Sequence, residues 1–236
     1  MPAPGFPCPV SDAPDRPEAR ERLDPELLLR AYAAGVFPMA DSAEDDDVFW
    51  VEPKLRGILP LDHFHLPRSV AKLLRQDRFE HRVDTAFGEV VGACAARDEG
   101  TWINGDIRAA YGELHRAGHA HSVECWQDGE LVGGLYGVRL RSAFFGESMF
   151  TRVSGASKAA LAHLVARLRT GGFTLLDTQF LTDHLARFGA AEVPRDVYRT
   201  YLASALSTEA DFDQLTTMVS GPVSGQSILQ ALTQTS

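Results

Sequence analysis

The chain has 236 residues, enough for one large domain or a medium domain with a smaller companion, and either could bury a full core. With 44% apolar and 23% charged residues it is globular rather than disordered, and no apolar run reaches the ~18 residues of a membrane span. A net charge of −9, from 23 Lys and Arg against 32 Asp and Glu, taken alone disfavours a nucleic-acid partner.

Met1 to Arg20 has neither a basic start nor an apolar stretch, so no secretory signal is expected. Three widely spaced cysteines (Cys8, Cys94, Cys125) make no CxxC pair, which predicts reduced thiols and a cytoplasmic location. Six prolines within the first 17 residues predict a disordered tail over 1–20. Asp24 then caps a helix with Pro25 in its first turn, Leu27, Leu28 and Ala31 on one face and Gly35 at its end. Val36-Phe37-Pro38 leaves in extended form. Residues 41–52 carry six acids and no base, a solvated loop closed by Phe49-Trp50.

Helices are predicted over 68–76, over 84–96 with Asp84 as its cap, and over 106–117, stopped by Gly118. A strand from His119 to Gln127, the turn Asp128-Gly129, a strand from Leu131 to Leu140 and a third from Ser142 to Phe150 form a meander. Ser154 is the expected cap of an amphipathic helix with Leu161, Leu164, Val165 and Leu168 on one face, ended by Gly171-Gly172. A strand over 173–179 and helices over 181–188 and 195–206 follow. Residues 208–236 read as a Ser/Thr/Gln-rich tail. The layout predicts a small N-terminal domain over 21–65 and a mixed α+β domain over 66–207.

Glu147 stands in the apolar strand Phe145-Gly146-Glu147-Ser148-Met149-Phe150, where an unpaired buried acid is costly. In a regular strand it shares a face with Met149, with Phe145 beside them; it either marks a wet edge or faces a pocket. Asp177 and Gln179, two apart at a strand end, project from one face and could position an attacking amine, or Asp177 could cap the next helix. His115, His119, His121, His63 and His65 lack a Cys or Asp at familiar spacing, so no metal site is expected. Ser154-Gly155-Ala156-Ser157-Lys158 opens a helix without the GxxxxGK[ST] phosphate loop. Charge is uneven: Arg68, Lys72 and Arg75 recur along one helix face, and Arg152, Lys158, Arg167 and Arg169 follow with no intervening acid. Such local fields can hold an RNA backbone on an acidic protein.

Several stretches, in one order from Tyr32 to Tyr201, carry a family resemblance. They include Ala34-Gly35-Val36-Phe37-Pro38, His65-Leu66-Pro67-Arg68-Ser69, Thr101-Trp102-Ile103, Ala110-Tyr111-x-x-Leu114-His115 and Ala120-His121-Ser122-Val123-Glu124. Downstream come Leu131 to Val138, Phe145 to Phe150, Ala156-Ser157-Lys158 and Asp177-Thr178-Gln179. The sequence resembles the leucyl/phenylalanyl-tRNA–protein transferases. It departs from their usual pattern at Met39, at the inserted residue of Phe49-Trp50-Val51-Glu52-Pro53, at His65-Leu66-Pro67-Arg68-Ser69 and at Leu135.

The resemblance implies a GNAT-like acyltransferase domain and transfer of Leu or Phe, and sometimes Met, from aminoacyl-tRNA to the N-terminal amine of proteins beginning with Arg or Lys. The product enters N-end rule degradation. The ester already holds the energy, so neither ATP, another cofactor nor a metal is implied. By the same resemblance Asp177 orients Gln179, which assists the amine, and Glu147 anchors the aminoacyl-adenosine or the amine. Trp102, Tyr111, Leu135, Phe144 and Met149 form the side-chain pocket and Trp50 contacts the terminal adenosine. Arg68, Lys72 and Arg75, chosen on charge pattern, are the candidates for the tRNA backbone, and a monomer is expected. An acetyl-CoA-dependent N-acetyltransferase would need a Gln/Arg-x-x-Gly-x-Gly/Ala loop before a helix, and none is present. The remaining alternative is a non-catalytic RNA- or peptide-binding module.

Overall fold

The computed structural model describes residues 23–45, 47–96 and 100–234; the predicted 1–20 tail, Cys8 and Asp46 lie outside them. Helix α1 (Pro25–Ala33) starts as expected, with the Asp24 carboxylate accepting the Glu26 N–H at 2.9 Å, and Gly35 leaves it at φ +85°. Strand β1 (Phe37–Met39) pairs antiparallel with β2 (Phe49–Val51), a separate ribbon. Then come β3 (Leu55–Ile58), α2 (Arg68–Arg75), β4 (Glu80–Val83), α3 (Phe87–Ala95) and α4 (Gly105–Arg116). The meander follows as β5 (Ala120–Gln127), β6 (Glu130–Leu140) and β7 (Ala143–Thr151), with Asp128 and Gly129 both at positive φ in the first turn. Next are α5 (Ala156–Thr170), β8 (Leu175–Gln179), α6 (Asp183–Ala186), β9 (Ala191–Pro194) and α7 (Arg195–Leu206), then α8 (Gln214–Met218) and α9 (Gly225–Thr233).

Seven strands form one mixed sheet in the order β4-β5-β6-β7-β8-β3-β9, so the α+β class expected from the sequence is the one observed. The pair β7–β8 is parallel and is joined through α5; the other neighbours run antiparallel. β3, β4 and β9 have no counterpart in the sequence reading. Each has four residues, and Arg56, Glu80, Arg82 and Glu192 interrupt the apolar alternation that would mark them.

One sheet face is covered by α2, α5, α8 and α9, and the other by α1, α3, α4 and α7, giving two apolar layers with the sheet between. Helix α5 differs from its expected amphipathic form. Twelve of its 15 residues are buried, because the C-terminal segment closes over its outer side. Phe212, fully buried, stacks on Phe144 at 5.6 Å. Arg167, only 1% exposed, donates to Thr216 and Asp213, and Arg169 donates to the Leu232 carbonyl. Two of the four cations in the second basic stretch therefore hold the protein's own C-terminal helices.

Two predicted caps are corrected. Asp84 sits at φ +58° and receives the Ser122 N–H, while the Ala86 N–H that opens α3 goes to the buried Glu124 carboxylate at 2.8 Å. A partner from a distant strand displaced the local one. Ser154 does not cap α5 either: Gly155, at φ +90°, is the capping residue and supplies no side chain.

Candidate active site

The parallel pairing of β7 and β8 ends at Phe145–Asp177, yet both strands continue, so the sheet forks there. On β7 the register against β6 steps from Gly137–Gly146 to Tyr136–Ser148, leaving Glu147 as the extra residue of a bulge. A Cβ on Gly137 would lie 2.3 Å from the Phe145 carbonyl oxygen, so glycine is what lets the strands approach beside that bulge. Phe145 packs on Tyr32 at a centroid distance of 4.7 Å, while Glu147 and Met149 both line a cavity of about 720 Å³ in the fork. That size lies within the usual range for small-ligand sites.

The Glu147 carboxylate, 8% exposed, accepts from Tyr32 Oη at 2.8 Å, Tyr111 Oη at 2.9 Å and Gln179 Nε2 at 2.9 Å. The two phenol oxygens also lie 2.5 Å apart. Three contacts among phenol, phenol and carboxyl need three protons, and the phenols supply two. With the carboxyl ionised the phenols fill two of the three contacts, and protonation of the carboxyl supplies the third. Burial pushes the Glu147 carboxyl up to about 7, the Asp177 charge adds to the rise, and the three donors oppose it.

Across the fork, Gln179 has φ +61° and the Phe180 N–H returns to the Thr178 carbonyl at 2.6 Å, forming a γ-turn of the strained hand. What holds it is Asp177, whose Oδ1 accepts the Gln179 backbone N–H at 2.7 Å. Asp177 is fully buried and enclosed. Arg56 Nε donates to its two oxygens at 3.0 and 3.1 Å, Arg56 Nη2 donates to Oδ2 at 2.7 Å, and Tyr198 Oη donates to Oδ2 at 2.5 Å. The Arg56 guanidinium lies between the rings of Phe37 and Tyr198 and donates to the Gly35 carbonyl at 3.0 Å. Burial opposes its charge, but Asp177 outweighs that and holds it above its ordinary value.

A family model described as leucyl/phenylalanyl-tRNA protein transferase matches residues 58–203, and one for that family's N-terminal domain matches 21–54. A leucyl/phenylalanyl-tRNA–protein transferase from Rhizorhabdus wittichii is 58% identical over 91% of this chain and 99% of its own length. The chain belongs to the leucyl/phenylalanyl-tRNA–protein transferase family. A second member, from Nitrobacter winogradskyi, is 56% identical over 92% of this chain and 97% of its own. Among solved structures FemX is similar, with a TM-score of 0.49 and 12% identity over 72% of this chain and 66% of that one.

In this family member, Trp102, Leu135, Glu147, Met149 and Gln179 line the cavity together. Tyr111 stands behind it in the other layer, with its hydroxyl on Glu147. Phe144 shares the layer of Leu135 and Met149 but packs between Phe173 and Phe212 and does not line the cavity. Asp177 reaches the cavity only through Gln179, because its oxygens are taken by Arg56 and Tyr198. Trp50 stands half-exposed on β2 opposite Pro38, outside the cavity wall. Arg68, Lys72 and Arg75 are all exposed on the solvent side of α2. Tyr32, Arg56 and Tyr198 were not singled out by the sequence reading. Arg56 did carry a signal, as a cation within Leu55-Arg56-Gly57-Ile58, next to apolar positions. Glu52, the family departure nearest Trp50, is paired with Arg195 and Arg199 at 3.4 and 2.5 Å. His115 and His121 both approach Asp84, at 3.8 and 2.7 Å.

Proposed function

We propose that this protein moves Leu or Phe, with Met as a third donor side chain, from aminoacyl-tRNA to the N-terminal amine of proteins beginning with Arg or Lys, marking them for N-end rule degradation. The single observation that carries the reading is Glu147, a carboxyl near 7 at an apolar cavity, bonded to the amide of Gln179. An N-terminal amine has an ordinary value of about 7.7–8.0, so such a carboxylate is matched to take its proton.

The donor ester needs no further activation. The amine nitrogen attacks the ester carbonyl, a C–N bond forms, and the C–O bond to the ribose breaks. The proton leaving the amine passes to Glu147 and then to the departing ribose oxygen. Gln179 holds Glu147 with its amide nitrogen and offers its amide oxygen to the amine. Asp177 and Arg56 are positioning residues that keep Gln179 in its turn. Trp102, Leu135 and Met149 receive the transferred side chain, and Tyr111 fixes Glu147 from behind. Trp50 contributes an exposed aromatic face to the terminal adenosine.

An N-terminal Arg or Lys acceptor is supported by the acidic 41–48 loop. Asn104 Nδ2 donates to the Asp45 carbonyl at 2.9 Å, tying that loop to the segment that carries Trp102 into the cavity wall. The small N-terminal domain would thus serve the acceptor. No helix of the described residues is long and apolar enough to cross a membrane.

The test pairs Leu-, Phe- and Met-charged tRNA with peptides beginning Arg, Lys, Asp or Glu. Transfer of Leu and Phe to the Arg and Lys peptides is expected, and Gln179→Ala should lower its rate by about 10² to 10³. Absence of transfer, or micromolar acetyl-CoA binding with acetyl transfer, overturns the reading. A fully active Asp177→Ala/Gln179→Ala double variant overturns the mechanism.

For the tRNA backbone, the triple variant Arg68→Ala/Lys72→Ala/Arg75→Ala should weaken tRNA binding and flatten its salt dependence. Each lost phosphate contact removes about 0.7–0.9 from the slope of log affinity against log salt. An unchanged slope would take α2 out of the RNA surface.

A further inference from the structure

A second cavity, of about 360 Å³, adjoins the first; Lys158 and His184 line both. Its remaining wall includes His65, Ser69 and Arg187, and no carboxylate belongs to the lining. The residues come from four places in the fold. Lys158 is in the first turn of α5, His184 and Arg187 lie on and just after α6, and His65 precedes α2, while Ser69 is in the first turn of α2.

The surroundings are cationic beyond these side chains. Pro67 caps α2 and Gly155 caps α5 with no side-chain hydrogen bond. The Ala156 N–H that opens α5 goes to the Val153 carbonyl, and in α2 the Val70 N–H goes to the Pro67 carbonyl, so the N–H groups of Arg68 and Ser69 at the start of α2 face this space. His184 Nε2 is buried with no hydrogen-bond partner among the described residues. Burial lowers the His184 imidazole below its ordinary value, and the charges of Lys158 and Arg187 lower it further. Two cations, an unpartnered imidazole nitrogen and the start of α2 around one half-open cavity are the chemistry of an anion site.

We propose that this second cavity seats the phosphodiester joining the last two nucleotides of the donor RNA. The inference rests on the aminoacyl-tRNA reading above and places one part of that substrate. The ester sits on the terminal ribose, and the 5′ carbon of that same ribose carries the phosphodiester. A donor whose ester lies at Glu147 must therefore put one phosphate within a nucleoside's reach of the cavity, and Lys158 and His184 form the shared wall. From there Pro67 and Ser69 open α2, whose solvent face carries Arg68, Lys72 and Arg75 outward for the rest of the backbone.

The experiment compares three donors in peptide transfer: phenylalanyl-adenosine, phenylalanyl-CpA, and phenylalanyl-CpA with a neutral methylphosphonate link. In the unaltered protein the phosphodiester donor should show a KM about tenfold below both others, since only it brings the charge. In Arg187→Ala and in Lys158→Ala that gap should close, and Lys158→Arg should restore most of it. Arg187 is exposed, so its replacement leaves the fold intact. Equal KM for the three donors, or a gap that persists in both Ala variants, overturns the phosphodiester seat while leaving the transfer reading standing. An advantage retained by the methylphosphonate donor also overturns it, because the second nucleoside would then be what binds. No turnover with any donor, together with none on charged tRNA, overturns both.

Discussion

Replacing Arg56 by Met is expected to destabilise the protein by about 3–5 kcal/mol, the usual result of removing one partner from a buried ion pair. The size of the effect follows from the enclosure. Arg56 and Asp177 are 1% and 0% exposed, and three of the five donor contacts to the Asp177 oxygens come from that one guanidinium. Met fills similar volume between Phe37 and Tyr198 but leaves the carboxylate with a phenol and one backbone N–H. Urea unfolding should show the midpoint falling at unchanged slope. Arg56→Met/Asp177→Leu should cost less than the sum of the single changes by about 2 kcal/mol or more, the coupling expected inside one network. Arg56→Met within about 1 kcal/mol of the unaltered protein would refute the assignment. Transfer should fall as well, since the strained turn at Gln179 is anchored through Asp177.

The second large effect is at Glu147 and has two opposite faces. Its carboxyl is raised from 4.5 to about 7 by burial, so the folded chain holds this proton more tightly than the unfolded chain. The stabilising contribution is complete below about 4.5 and is lost as pH rises through 7. At pH 8 the ionised group costs roughly 3 kcal/mol relative to a solvated one, because each tenfold change in proton affinity is worth about 1.4 kcal/mol. Glu147→Gln, neutral throughout, should therefore be the more stable protein at pH 8, by up to about 3 kcal/mol. The difference should shrink at pH 6.5 and vanish near pH 4. Transfer by the same variant should fall by about 10² or more, as proton removal from the amine loses its acceptor. A pH-independent stability difference would refute the raised carboxyl, and full activity would remove Glu147 from the proton path.

Much of this was legible from residues whose signals are local. Pro25 and Gly35 bracket α1, Asp128-Gly129 sets the β5–β6 turn, and Glu147 stood out as an acid in an apolar strand. The family likeness brought Asp177 and Gln179 forward. What stayed hidden depended on partners far along the chain. The Ala86 N–H at the start of α3 goes to Glu124 on β5, and the bulge that turns Glu147 into the fork is defined only against β6. The burial of α5 needs Phe212 and the last two helices, whose Ser/Thr/Gln-rich sequence carries little periodicity. Charge misled in the same way. Arg167 and Arg169 look like RNA-binding residues in sequence, yet the first is interior and both bond to the C-terminal segment.

Strand β3 lies between β8 and β9, and its Arg56 is 121 residues upstream of Asp177. On a ribosome adding about 5–20 residues per second, Arg56 emerges roughly 6–24 s before its carboxylate exists. Through that interval the β3 segment has no sheet to join, and the γ-turn at Gln179 is anchored as soon as it is made. The nascent chain thus completes its reactive centre as a late event of synthesis, when β8 inserts beside a strand that has been waiting since the start.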